Sequence, residues 1–220
     1  SVTEGIVFDR LPKTIHLLIH PNNASYEKSK KAKVMLSSNR ESSKPSYQTN
    51  ITIFSDAPFI SDNGDFHLPS PYKLKISLNE MYNSWLFHGP CFHHIEKIQG
   101  ISREGIVGAI KAVPASSCLP QGKNKWSINP IILDCALQFL LIWARKFWDT
   151  TGYPMGFQSF ESISNLSNEP YDCRIKIYPE IPGQMLRSDI TLFDRSGVPV
   201  VSWKGVEVYC RKDWNINTNK

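Results

Sequence analysis

Apolar and polar positions alternate through most of this 220-residue chain. Residues 15–19, 32–36 and 47–54 read as the first three strands. The last of them alternates across Tyr47, Thr49, Ile51 and Ile53, the pattern of a half-buried antiparallel strand. Residues 55–72 hold Pro58, Asn63-Gly64, Pro69 and Pro71 and read as a linker or long loop. Ser77 or Asn79 is placed to cap a short helix over 80–87, stopped by Gly89-Pro90. Strands follow at 92–99 and 106–113, joined by the turn Ser102-Arg103-Glu104-Gly105. A second loop spans 114–126. Strands resume at 156–163, 171–177, 187–193 and 198–209, and the polar tail from Lys212 is expected to fray.

One segment breaks the two-residue rhythm. From Pro130 to Trp148 apolar residues cover the whole circumference of a helix, which marks a buried helix. An antiparallel sheet wrapped around one buried helix is the hotdog architecture, an α+β fold. Leu137 and Leu141 are expected to be almost dry. Before Arg145 the helix carries only two strongly polar side chains, Asp134 and Gln138, four apart and so on one face. A buried carboxyl is costly unless paired or protonated, which suits a proton donor. Gln138 is placed to hydrogen-bond and orient it. The plainer reading is that Asp134 lies near the helix start and favours the dipole there.

Composition narrows the field. Hydrophobic residues make up 41% and charged residues 20%, enough for a packed core. No apolar run is long enough for a transmembrane helix, and no signal peptide is visible. The five cysteines are scattered singly without a Cys-x-x-Cys pair, which excludes a zinc ribbon and fits a reduced, cytoplasmic protein. No metal site is expected, since His93-His94 alone supplies too few ligands. The net charge of +5 includes a basic cluster at Lys28, Lys30, Lys31 and Lys33, a solvated edge or a landing patch for an acidic partner. No aromatic-interleaved basic motif accompanies it, so nucleic acid is not an expected partner.

Three segments carry a resemblance. Asn129-Pro130-Ile131-Ile132-Leu133-Asp134-Cys135-Ala136-Leu137-Gln138 resembles the His-Pro-x-x-Leu-Asp-x-x-x-Gln/His segment of polyketide synthase dehydratase domains. Leu86-Phe87-His88-Gly89-Pro90-Cys91-Phe92-His93-His94-Ile95 resembles their Tyr-Gly-Pro-x-Phe-x-x-Ile segment. Its Phe-His-Gly-Pro form is most similar to iterative synthases of the polyunsaturated-fatty-acid and enediyne type. Asp194–Val200, followed by Trp203 to Val208, resembles the closing hairpin. The resemblance implies a double hotdog: residues 1–71 as part of an incomplete N-terminal hotdog with its linker, 72–212 as the C-terminal hotdog, and 213–220 as a flexible tail. It implies dehydration of a 3-hydroxyacyl chain to the enoyl thioester. The chain is carried on the phosphopantetheine of an acyl carrier protein, with no other cofactor. Asp134 would be the acid and Gln138 its orienting neighbour, with His88, Gly89, Pro90 and Phe92 lining the substrate tunnel. Other synthase domains and a second copy of the chain are the further partners it implies.

The sequence departs from the family at one point. The family's catalytic His-x-x-x-Gly-x-x-x-x-Pro motif does not occur, which leaves His88, His93 and His94 as local candidates. His93 and His94 read as neighbours on a strand, one facing in and one out. The competing reading is a non-catalytic double hotdog that binds the acyl chain or supports synthase assembly. A hotdog thioesterase, using the acid on a thioester, is a third.

Overall fold

The computed structural model describes residues 14–22, 29–37, 45–56, 60, 66–117, 126, 128–163, 166 and 168–215. The chain divides into two compact units, residues 1–59 and 60–220.

In the first unit β1 (His16–Asn22), β2 (Ser29–Ser37) and β3 (Tyr47–Phe54) form an antiparallel sheet in the order β1-β2-β3. The register sets Leu36 between Leu17 and Tyr47, and Ile19 beside Val34. One face is therefore apolar. Its side chains are open: Leu17, Ile19 and Ile53 are 61%, 57% and 64% exposed. The alternation in β3 does not give the expected half-buried strand, because six of its positions in a row, 49–54, are exposed. Lys30, Lys31 and Lys33 of the basic cluster lie on β2, while Lys28 falls outside the described residues.

The second unit opens with α1 (Leu78–Ser84), where Ser77 and Glu80 cap each other reciprocally. Next come β4 (Ile95–Ser102), β5 (Gly105–Ile110), α2 (Pro130–Trp148), β6 (Thr151–Gly156), β7 (Ser159–Ser162), β8 (Tyr171–Ile181), β9 (Met185–Phe193) and β10 (Pro199–Arg211). The strands make one antiparallel sheet, β4-β5-β8-β9-β10-β6, with β7 also paired to β10. α2 packs against β5, β6 and β8, so the sheet wraps a single long helix as a hotdog does. Period-two burial in β8 turns Tyr171, Cys173, Ile175 and Ile177 inward. In β5, β9 and β10 they meet Ile106, Ile190, Leu192 and Val201 across the rows of the sheet.

Asn129 starts α2: its Oδ1 accepts from Ile131 N–H (3.1 Å) and its Nδ2 donates to the Val113 carbonyl (2.6 Å). Pro130 at the first turn loses no needed donor. Asp149 ends the helix in the left-handed region at φ 51°. Cys135, Ala136, Phe139, Leu140, Ile142 and Trp143 are buried, and Trp143 Nε1 donates to the Ser102 carbonyl (2.8 Å). The helix is not dry all round. Leu141 is buried as expected, but Leu137 is only half-buried, as are Pro130, Leu133 and Asp134. These four positions follow helical spacing and form one stripe that the sheet does not cover.

Several boundaries differ from the sequence reading. The expected strand at 92–99 begins at Ile95, because Pro90–Phe92 forms a 3-10 turn; His93 and His94 thus precede the strand rather than alternate along it. The expected strand at 156–163 shortens to β7, and β6 at 151–156 was not foreseen. Lys212–Trp214 is a 3-10 turn, with Trp214 edge-on to Tyr153 and Tyr209, rather than the start of a frayed tail.

Gly108 of β5 faces the Phe139 ring, where an added Cβ would fall 2.4 Å from a ring carbon. Gly108→Ala therefore forces Phe139 off its packed position and is expected to cost about 1–3 kcal/mol of stability. Urea denaturation is the check, and Gly108→Ala with Phe139→Leu should recover part of the loss.

Candidate active site

The uncovered stripe of α2 places Asp134 beside the segment that links α1 to β4. Gln138, one turn on, is completely buried. Its Nε2 donates to Asp134 Oδ2 (2.8 Å) and to the Phe92 carbonyl (2.9 Å), and its Oε1 accepts from the Tyr82 hydroxyl (3.1 Å). The same hydroxyl accepts from Ile95 N–H (3.2 Å). Each polar atom of the carboxamide has a partner of the right kind, so its orientation is set. Burial pushes the Tyr82 phenol above its ordinary range, which keeps it a donor. Cys135 Sγ also reaches the Phe92 carbonyl (3.6 Å).

His88 approaches the same carboxylate oxygen, with Nε2 3.6 Å from Asp134 Oδ2. The imidazole stacks on Phe87 (4.4 Å between centroids) and lies edge-on to Phe92. Its Nδ1 is buried and has no hydrogen-bond partner among the described residues. Burial lowers the His88 pKa, the Asp134 charge opposes that, and His93 adds to it; the net direction is down. His88 is thus neutral at pH 7, with Nε2 facing Asp134.

The three local histidines have different positions. His93 Nε2 lies 2.7 Å from the His88 carbonyl and its ring stacks on Tyr82 (3.9 Å), so it braces the turn. Burial and then Lys111 lower the His94 pKa, and no described contact joins His94 to Asp134. Only His88 approaches the carboxylate. Gly89 begins the 3-10 turn at φ −73°, which any residue adopts, and Pro90 follows it; both are exposed. An added Cβ at Gly89 would meet nothing within 4 Å. Phe92 is half-buried, and its carbonyl is the one that Gln138 holds.

The sequence reading therefore brought Asp134, Gln138, His88 and Phe92 to one place, with Gly89 and Pro90 on the adjoining turn. It missed Tyr82, Asn129 and the bracing role of His93. Tyr82 had a usable signal: a phenol on a short helix next to a buried amide must find a partner. Burial pushes the thiols of Cys135 and Cys210 up to about 12 and about 11, and that of Cys173 higher still, so none is a ready thiolate. No group of three His, Cys, Asp or Glu among the described residues is placed to hold a metal. No helix among them is long and apolar enough to cross a membrane.

A sequence model described as the polyketide synthase dehydratase N-terminal domain matches residues 67–210, well over half of the chain. The chain belongs to the polyketide synthase dehydratase family. Among curated protein sequences none matches it. Solved structures agree on the fold. The dehydratase domain from the CurJ module of the curacin polyketide synthase superposes with a TM-score of 0.60 at 16% identity, over 90% of this chain and 68% of that one. An enoyl-isomerase of a trans-acyltransferase polyketide synthase gives 0.58 at 19%, over 94% and 77%. The dehydratase domain of RzxB from Pseudomonas fluorescens gives 0.58 at 11%, over 87% and 67%. The dehydratase-type domain seen here is thus a hotdog, with Asp134 on its central helix.

Two outcomes follow for the dehydratase site. Gln138→Leu removes the acceptor of the Tyr82 hydroxyl proton and the N–H donor to the Phe92 carbonyl, and is expected to cost about 1–3 kcal/mol; denaturant unfolding should show the loss. The second concerns acid. Folding lowers the His88 pKa, so below about pH 6.5 the unfolded chain takes up this proton before the folded chain does. Stability should fall as pH drops from there towards the lowered folded value, and His88→Phe should flatten that part of a stability-versus-pH curve.

Proposed function

We propose that this domain removes water from a 3-hydroxyacyl chain held on the phosphopantetheine of an acyl carrier protein, giving the enoyl thioester. The observation that carries the reading is the Asp134 carboxyl, held by a fully satisfied Gln138 and opposed by a neutral imidazole. In the elimination a base takes the proton next to the thioester carbonyl. The Cβ–O bond breaks, a carbon–carbon double bond forms, and Asp134 gives its proton to the leaving hydroxyl as water. Because Oδ2 accepts from Gln138, Oδ1 is the oxygen left to serve the leaving hydroxyl. Gln138 sets the position of the carboxyl, and His88, Gly89, Pro90 and Phe92 line the approach of the acyl chain. Residues 72–212 serve as the C-terminal hotdog in this reading, with residues 1–71 belonging to the N-terminal one. The phosphopantetheine of the carrier is the only cofactor the reaction needs.

The sequence lacks the family's His-x-x-x-Gly-x-x-x-x-Pro motif, and that observation supports the second reading, a module that binds the acyl chain without dehydrating it.

Both are tested by conversion of a carrier-bound 3-hydroxyacyl chain to the enoyl form, followed by mass spectrometry. The 220-residue chain is expected to turn over slowly, and fusion to a segment bearing the missing motif should raise the rate. Asp134→Asn should then lower it on the order of a hundredfold or more, with the fold intact. Brisk turnover by the 220 residues alone, abolished in His88→Phe, would assign the base to His88. Unchanged activity in Asp134→Asn would remove Asp134 from the mechanism, and absence of turnover even in the fused chain would leave the binding module standing.

A further inference from the structure

The second unit carries an open groove at the far end of α2, away from Asp134. Its volume is about 390 Å³, and it lies between residues 72–76 and the last turns of the helix. Tyr72 ties its segment to β4 through paired backbone hydrogen bonds with Ile101 (3.1 and 3.3 Å). The segment then alternates: Lys73 and Lys75 are exposed, Leu74 and Ile76 half-buried. Trp85 completes an apolar floor, and Arg145 and Lys146 of α2 line the groove with the two lysines. The Lys146 ammonium lies 5.5 Å from the centre of the Tyr72 ring, and Arg103 sits over the adjoining Phe147 ring.

The charge here is largely uncompensated. Arg145 is paired with Asp149 (3.0 Å), which also takes Lys212 (3.2 Å). Lys73, Lys75 and Lys146 are in no ion pair among the described residues. Two features separate this groove from a small-anion site. The cations do not converge on one point: Lys73 and Lys75 alone stand about 7 Å apart along extended backbone. The floor is apolar and broad. Several separated carboxylates around one or two apolar side chains match it; a single phosphate does not.

We propose that this groove is where the acidic carrier protein docks. This rests on the reading of the domain as one that takes carrier-bound chains. Lys73, Lys75 and Lys146 meet carboxylates of the carrier, and an apolar side chain of the carrier lies over Leu74, Ile76 and Trp85. Arg145 and Asp134 are eleven positions apart on α2, about 16 Å along the axis. Docking at this end leaves the surroundings of Asp134 free. Contacts of this kind act mainly on the rate of encounter and on salt dependence.

The test titrates a phosphopantetheinylated polyketide synthase acyl carrier protein, isotope-labelled for NMR, with the full chain at low and physiological salt. The variant is Lys73→Glu/Lys75→Glu/Lys146→Glu, compared with Lys30→Glu/Lys33→Glu on β2, and thermal unfolding confirms that both are folded. The groove variant should weaken binding on the order of tenfold or more and remove most of its salt dependence, while the β2 variant binds as wild type does. Unchanged binding in the groove variant overturns the proposal. So does loss of binding in the β2 variant alone, absence of carrier binding by wild type, or preference for a single-stranded oligonucleotide over the carrier at equal salt. A separate assay, of the chain fused to a segment bearing the missing motif, with a 3-hydroxyacyl N-acetylcysteamine thioester reads the chemistry without any carrier. Failure there, with groove-dependent carrier binding intact, sinks the dehydratase reading and leaves the docking site standing.

Discussion

A carboxamide buried without access to water must find every hydrogen bond inside the protein, and much of the second unit is arranged around one such group. Gln138 joins four pieces of chain: its own helix through Asp134, the 3-10 turn through the Phe92 carbonyl, α1 through Tyr82, and the start of β4 through the phenol that Ile95 also uses. Each bond is worth only about 0.5–1.5 kcal/mol when made, but an orphaned partner costs more. The network therefore acts more as a constraint than as a source of stability. It admits one placement of the 86–95 segment against the helix, and that placement brings His88 to Asp134.

Much of this architecture could be read along the chain, and the reasons are local. The bounds of α2 were legible because Asn129-Pro130 is a start signal and the apolar run has no competing period. β8 was legible from its strict alternation between Tyr171 and Ile177. The pairing of Asp134 with Gln138 followed from helical spacing alone. Other features needed tertiary information. Nothing local distinguishes His93 as a brace from His94 as a neighbour, because the 3-10 turn before them resets the side-chain directions. Leu137 reads as core by composition, yet the sheet leaves its stripe of α2 uncovered. In β3 alternation promised a buried face, but alternation specifies only that two faces differ, not that one of them is covered.

The site divides its work between rigid and adjustable parts. Asp134 is held through the core, so its direction is inherited from packing that also stabilises the fold. His88 is held less tightly, by stacking on Phe87 and by the bond from His93 to its carbonyl, and it keeps one ring nitrogen without a partner. Its neutral state comes from burial rather than from a dedicated hydrogen bond. The protonation of His88 is thus sensitive to whatever displaces solvent there, while the carboxyl geometry is not.

The open space at Gly89 has a consequence for how such domains diversify. Gln138 cannot be changed without disturbing both the core and the carboxyl. Gly89 sits a few residues away on an exposed turn, at an ordinary φ, with nothing to collide with a larger side chain. Variation at that position is decoupled from folding. A lineage could therefore vary the side chains on this turn beside Asp134 by near-neutral steps while the interior stays under purifying selection.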